Sequence, residues 1–531
     1  MERRDFLKTS LAATAAIGIA PALKGWIPSH NWDKYDFGSG PEVKDRLYQG
    51  PFPQYAPENF FGGMVIQYTT PGKQLLNCFG MGLTAYIAGD LGAPHVPGES
   101  LETTIDKLFR LPMATKVYIR PIWRHLQKRP GKLEPDDYWK ITMDKAAQYG
   151  KRVGFRVMMN CPDIAENALP EFLYNKVKFT QLPGDWKTGP YANRANQDHR
   201  MPQFDDPYFI EAYTEMQQLL AEQYNGSPLI EYMDTCMYGF WGEGHAWPYE
   251  GNNFESDQKG EETFMRFFDI QNACWDKVPL LTNTQPDFSR VGNSSVVDKT
   301  IRTHNWLRTD TIFIENEQIE ALANRPAWIG AAVECGMSDG TSENPPAWAA
   351  SSGSRRDYDD EGIPRSDAVM YHVKDVGANY FSLWNAHRIN ADGIMRYYKK
   401  HPTAMDDLAS CIGYRIRPSW IWVPEEKSMG NHMIFGMVND GIAGVPGVLR
   451  LTLFTDDGKV NVSGCLDPGY PKPQGVRQAM MTLPEGVDWN SGALKLKAEL
   501  EVKGVRYPVP FACSQPLNPD GSLTIKGMIN V

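Results

Sequence analysis

Two rhythms of apolar and polar positions alternate along most of this chain. Short β-rich apolar runs recur at Gly63–Tyr68, Thr115–Pro121, Arg152–Asn160, Leu229–Phe240, Pro279–Asn283, Thr311–Glu315, Ala327–Glu334 and Asn379–Asn385. Between them lie stretches such as Asp136–Tyr149 and Pro207–Tyr224, with apolar residues three and four apart behind an Asp or Pro start. Strand-type and helix-type segments in strict alternation are the signature of parallel βα units. Eight such units over residues 62–402 predict an α/β fold, a (β/α)8 TIM barrel, in preference to an open doubly wound sheet. No GxGxxG turn follows the first run, which weakens a dinucleotide-binding reading. Past Pro402 the rhythm changes. Tyr414–Val423, His432–Val438, Gly447–Phe454, Gln478–Leu483, Leu494–Val502 and Gly504–Phe511 are short β-type runs, broken by turns such as Asn439-Asp440-Gly441 and Asp456-Asp457-Gly458. Residues 412–531 are therefore expected to form a small all-β sandwich, with covering the barrel as its expected role.

The start of the chain reads as an address. Arg3-Arg4-Asp5-Phe6-Leu7-Lys8 precedes an Ala-rich apolar stretch, Leu11 to Ala20, and then Ala20-Pro21-Ala22. That pattern resembles a twin-arginine export signal over residues 1–22, which implies a periplasmic or secreted protein. Residues 23–61 would then be an N-terminal extension. No later apolar run reaches the ~18 residues of a membrane-spanning helix, so no integral membrane segment is expected after signal removal.

Charge and composition narrow the partners. With 54 Lys+Arg against 64 Asp+Glu the net charge is −10, and no basic block occurs, which argues against a nucleic-acid surface. The 8 Cys have no close-spaced pairs, and the 10 His include no His-x-His or HExxH, so neither a disulfide framework, a metal site nor any other cofactor is expected. The 15 Trp are a large stock of flat apolar faces.

In a (β/α)8 barrel the chemistry sits at the C-terminal strand ends. The fourth run continues into Gly239-Phe240-Trp241-Gly242-Glu243-Gly244-His245-Ala246-Trp247. There Glu243 lies between glycines and the rings of Trp241 and Trp247, walls expected to favour a protonated carboxyl suited to a general acid. The seventh run ends on Glu334, a carboxylate after apolar residues that needs a partner or a task, with Arg120 or Arg156 as candidate partners. Glu315 at the end of the sixth run is its rival. Trp123, His125, Asn160, Trp241, His245, Trp247, Trp384, Asn385 and His387 mix aromatic faces with hydrogen-bonding groups at strand ends, as a carbohydrate ligand requires. Two carboxylates at such a mouth suit glycoside hydrolysis.

The segment Gly239-Phe240-Trp241-Gly242-Glu243-Gly244-His245 resembles the Gly-x-x-Gly-Glu-x-His stretch of secreted bacterial barrel proteins regarded as glycoside hydrolases, whose C-terminal β-domain begins Gly-Tyr-Arg, as Gly413-Tyr414-Arg415 does here. The wider arrangement is similar to the retaining clan A glycosidases. That resemblance implies an acid/base role for Glu243 on strand four and a nucleophile role for Glu334 on strand seven. Two other readings remain: an exported carbohydrate-binding barrel without turnover, and a metal-dependent hydrolase using Glu243 and His245.

Overall fold

The computed structural model describes residues 40–49, 62–87, 98–161, 167–181, 200–244, 254–284, 294–309, 322–334, 365–383, 390–426, 430–490 and 494–525. Two strands, β1 (Tyr48–Gln49) and β2 (Gly63–Tyr68), precede the barrel. Its strands are β3 (Gly82–Ile87), β4 (Ala114–Ile119), β5 (Arg152–Phe155), then, after a small antiparallel pair β6 (Phe179–Gln181) and β7 (Arg200–Pro202), β8 (Ile230–Asp234), β9 (Leu280–Asn283), β10 (Trp306–Thr309), β11 (Ala331–Glu334) and β12 (Tyr380–Ser382). All eight barrel pairings are parallel, and β12 returns to β3, closing the sheet as a TIM barrel.

Local chemistry sets the intervening helices. Asp136 caps helix Asp137–Tyr149 by accepting from the backbone N–H of Trp139 at 3.1 Å, and Gly150 ends it at φ +60. Asp206 caps Pro207–Tyr224, where proline occupies the first turn. Both helices start within a residue of the positions expected from the sequence.

Two sequence-based strand assignments are corrected. Gly63–Tyr68 is not the first barrel strand: β2 pairs antiparallel with β13 (Ile416–Pro424), and the barrel opens with Gly82–Ile87. The sixth barrel strand is Trp306–Thr309, upstream of the expected Thr311–Glu315, which lies outside the described residues. A six-residue apolar run such as β2 is equally at home on a half-buried antiparallel sheet, and only its partner decides.

The C-terminal strands are β13, β14 (His432–Asn439), β15 (Val448–Phe454), β16 (Asn461–Cys465), β17 (Val476–Thr482), β18 (Lys495–Val502), β19 (Val505–Val509) and β20 (Leu523–Thr524). They form two five-stranded antiparallel sheets, one completed by β1 and β2. The barrel is thus inserted between neighbouring strands β2 and β13. Phe79, just before β3, stacks on Tyr507 of β19 with ring centroids 3.6 Å apart, and Arg152 at the start of β5 lies over both rings. The β-domain therefore packs against the N-terminal end of the barrel. Among the described residues no helix is long and apolar enough to cross a membrane.

Candidate active site

Period two places every other strand residue inside the barrel. On β4 the apolar Val117 and Ile119 alternate with Lys116, Tyr118 and Arg120, the residue following the strand. The second set meets Glu231, Asp234 and Glu243 across the interior. The barrel therefore turns its polar set inward and its apolar set toward the helices. Near the N-terminal end, Tyr380 Oη and the backbone N–H of Gly80 donate to Glu231 Oε1 at 2.7 and 2.8 Å, and Lys116 Nζ stands 3.8 Å from Oε2. A register shift between β5 and β8 gives strand four the extra residue that lets Glu231 and Tyr232 both turn inward.

At the C-terminal end lies a cluster of three guanidiniums and three carboxylates, all buried. Arg120 Nη1 donates to Glu243 Oε1 at 3.0 Å, and Arg156 Nη2 donates to the same oxygen. Arg308 Nη2 donates to Glu334 Oε2 at 2.5 Å, while its Nη1 stands 3.9 Å from Glu243 Oε1. Its Nε is 3.2 Å from Asp234 Oδ2. That oxygen also accepts from Tyr118 Oη at 2.5 Å and lies 3.6 Å from Arg156 Nη1. Burial works against the charge of Arg156, but the Glu243 carboxylate beside it favours the charged form, and its pKa is raised. Burial lifts the hydroxyls of Tyr118, Tyr232 and Tyr380 well above the ordinary phenol range, so they act as neutral donors.

Glu243 and Glu334 thus sit on the two terminal nitrogens of one guanidinium. That geometry brings both carboxylates to the same end of the barrel, on either side of Arg308. A cavity of ≈ 20 Å³ beneath them is bounded by Thr84, Tyr118, Asp234, Arg308, Glu334 and Ser382, among others. It has room for about one water molecule. A sugar ring is far larger and does not fit inside it.

The glycine-rich segment is a tight turn that aims Glu243 back over the strand ends. Gly239, Trp241, Gly242 and Gly244 all have positive φ, at 83, 57, 75 and 91. The Gly244 N–H donates to the Tyr238 carbonyl at 2.9 Å, and the Met237 N–H to the Gly242 carbonyl at 3.0 Å. Positive φ is rare for a bulky residue, and Trp241 holds it through packing on Ile122, Met158, Cys161 and Ala168 and through its N–H to the Asn160 carbonyl at 2.8 Å.

The other candidates divide. Asn160 is buried beside this turn, as expected of a strand-three end residue near the mouth. Trp123 is a correction: it is wholly buried, bonds to Gln127 Oε1 at 2.8 Å and packs edge-on against Phe209, so its ring offers no face to a ligand. His125 is turned to Asp136 Oδ2 at 3.2 Å. The expected apolar setting of Glu243 is also corrected, because guanidiniums hold its oxygen and favour the ionised form. Arg308, rather than Arg120 or Arg156, partners Glu334. His245, Trp247, Glu315, Trp384, Asn385 and His387 lie outside the described residues. Sequence reasoning missed Asp234, Arg308 and Tyr118; the inward rhythm Lys116-x-Tyr118-x-Arg120 was the available signal. Among the described residues no group of three or more His, Cys, Asp or Glu is arranged to hold a metal ion.

The molecule is, at this level, a closed (β/α)8 barrel with a carboxylate–guanidinium cluster at its C-terminal mouth. No protein-family model matches the chain, and no curated protein matches it. Solved structures similar in trace include endo-glycoceramidase II from Rhodococcus sp. at 13% identity, covering 76% of this chain and 97% of that one with a TM-score of 0.36. The β-galactosidase from Rahnella sp. R3 is 10% identical over 66% of this chain and 59% of that one, with a TM-score of 0.42. The catalytic domain of β-amylase from Paenibacillus polymyxa is 9% identical over 61% and 99%, with a TM-score of 0.37.

Proposed function

We propose that the chain is an exported glycoside hydrolase that cleaves an extracellular oligo- or polysaccharide by retaining double displacement. The observation that carries this reading is the pair of buried carboxylates, Glu243 after strand four and Glu334 on strand seven, that share Arg308 at the barrel mouth. In it Glu334 attacks the anomeric carbon to form a glycosyl ester, while Glu243 protonates the departing oxygen and then activates the water that hydrolyses the ester. Arg308 keeps Glu334 ionised, as a nucleophile must be. The guanidiniums beside Glu243 oppose its protonation, so turnover belongs to the acid side of neutrality and falls as pH rises.

That same clamp favours a second reading, a carbohydrate-binding barrel without turnover, in which Glu243 is a fixed anion. A screen of aryl-glycosides and polysaccharides separates the two. Hydrolysis with retained anomeric configuration, a 2-fluoroglycoside label mapped to Glu334, and a loss of about 10²–10⁴-fold in Glu243→Gln on poor leaving groups support the hydrolase. Glycan binding with no turnover at any pH supports the binding barrel, and a label on Glu315 moves the nucleophile.

A further inference from the structure

Asp234 has no role in the reaction just proposed, yet with 1% of its surface exposed it is, together with Arg156, among the most buried members of the mouth cluster. It ends strand four, and its Oδ2 accepts from Tyr118 on strand two. The same oxygen faces Arg308 Nε on strand six at 3.2 Å and Arg156 Nη1, beyond strand three, at 3.6 Å. Both guanidiniums then point their remaining nitrogens outward, Arg156 to Glu243 and Arg308 to Glu334. One carboxylate thus grips the near side of two arginines whose far sides hold the two glutamates.

We infer that Asp234 is the positioning residue of this site, fixing Arg156 and Arg308 so that they orient Glu243 and Glu334 and balancing their charge. The inference rests on the hydrolase reading for its catalytic consequence and on geometry alone for the positioning.

The charge argument gives the sign. Arg120, Arg156 and Arg308 face Glu243, with Asp234 and Glu334 as the nearby anions. Replacing Asp234 by Asn removes one of three negative charges and leaves all three guanidiniums. The surplus positive charge favours the ionised form of both glutamates. Each then takes up its proton only at lower pH, and the acid limb of catalysis moves with it. A residue that merely packed the core would lower stability or kcat without that directed shift.

The test uses the full chain labelled with ¹³C-glutamate, the δ-carbon signals of Glu243 and Glu334 being assigned through Glu243→Gln and Glu334→Gln. In Asp234→Asn both signals are expected to titrate about one pH unit or more below wild type. The pH profile of kcat/KM on an aryl-glycoside is expected to shift the same way, with kcat falling more than KM changes. Tyr118→Phe, which keeps every charge, is expected to leave the titrations near wild type. Unmoved glutamate signals in Asp234→Asn, or an equal shift in Tyr118→Phe, would overturn the inference. A wild type that cleaves no glycoside sinks the hydrolase reading, while the titrations still decide the positioning.

Discussion

At the scale of single residues, the mouth of this barrel is decided by charge pairing among buried groups. Arg308 touches Asp234 and Glu334 and faces Glu243, so its loss strands carboxylates that are otherwise compensated. Breaking such a buried pair from one side costs about 3–5 kcal/mol, because the remaining charge has no solvent. Arg308→Met is therefore expected to lower stability by roughly that amount in urea unfolding and to abolish turnover. Gly242 makes a subtler case. At φ +75 it holds a conformation that costs an L-residue about 1–2 kcal/mol, and an added Cβ would lie 3.4 Å from the Val157 carbonyl oxygen. Gly242→Ala is expected to lose about that much stability and, because Glu243 follows directly, to reduce kcat more than its fold defect explains. Cys236 marks the contrasting case: burial pushes its thiol up to about 12, so it stays protonated and inert.

Among the elements, the hairpin of β18 and β19 reaches the barrel. Strand β18 alternates half-buried and buried positions along its length, the mark of a sheet with one covered face. Its turn, Lys503-Gly504, has φ of +48 and +76, the mirror-image geometry that suits a two-residue hairpin. Lys503 then donates from Nζ to the Trp275 carbonyl at 2.8 Å. Burial lowers its pKa to about 8 from the ordinary 10.5. Between those values the unfolded chain binds the proton and the folded chain does not, so this group makes stability rise with pH across that window and contributes no slope below it. Lys503→Gln is expected to flatten the rise, read as the difference between variant and wild-type unfolding free energies at pH 7, 8, 9 and 10 (roughly the window that linkage sets). A parallel pair of curves would show that Lys503 is solvated.

For the whole molecule, the insertion of the barrel between β2 and β13 makes the two parts interdependent. Tyr414 Oη donates to the Phe79 carbonyl at 2.6 Å, and Arg415 Nη2 reaches the Gly72 and Gln74 carbonyls at 2.8 and 2.9 Å, so the chain entering the barrel is tied to the chain leaving it. A chain cut before residue 412 would leave β2 without its partner and Phe79 uncovered. It is expected to be insoluble or to lack a cooperative transition, whereas the full chain is expected to show one transition in calorimetry. Tyr507→Ala, which removes the ring stacked on Phe79, is expected to cost about 3–5 kcal/mol. Two well-separated transitions would refute this coupling.

The sequence by itself determined the alternation of strands with helices and the change to an all-β region. Alternating βα rhythm, Asp and Pro helix starts and the change of texture after Pro402 follow from local geometry, and local geometry is written in neighbouring residues. It also placed Glu334 at a strand end and Glu243 just beyond one, because the apolar runs before them are local; their numbering as strands seven and four agrees with the barrel only because the wrongly included Gly63–Tyr68 offsets the missed Gly82–Ile87. The tertiary structure alone decided which sheet claims Gly63–Tyr68, since an apolar run does not specify its neighbour. It alone showed that Trp123 is core and that Arg308, not Arg120 or Arg156, holds Glu334. Above all it set the charge state around Glu243. Arg120, Arg156 and Arg308 come from three strands far apart in sequence, and electrostatic interaction depends on distance through space, which closure of the barrel fixes and the linear order does not.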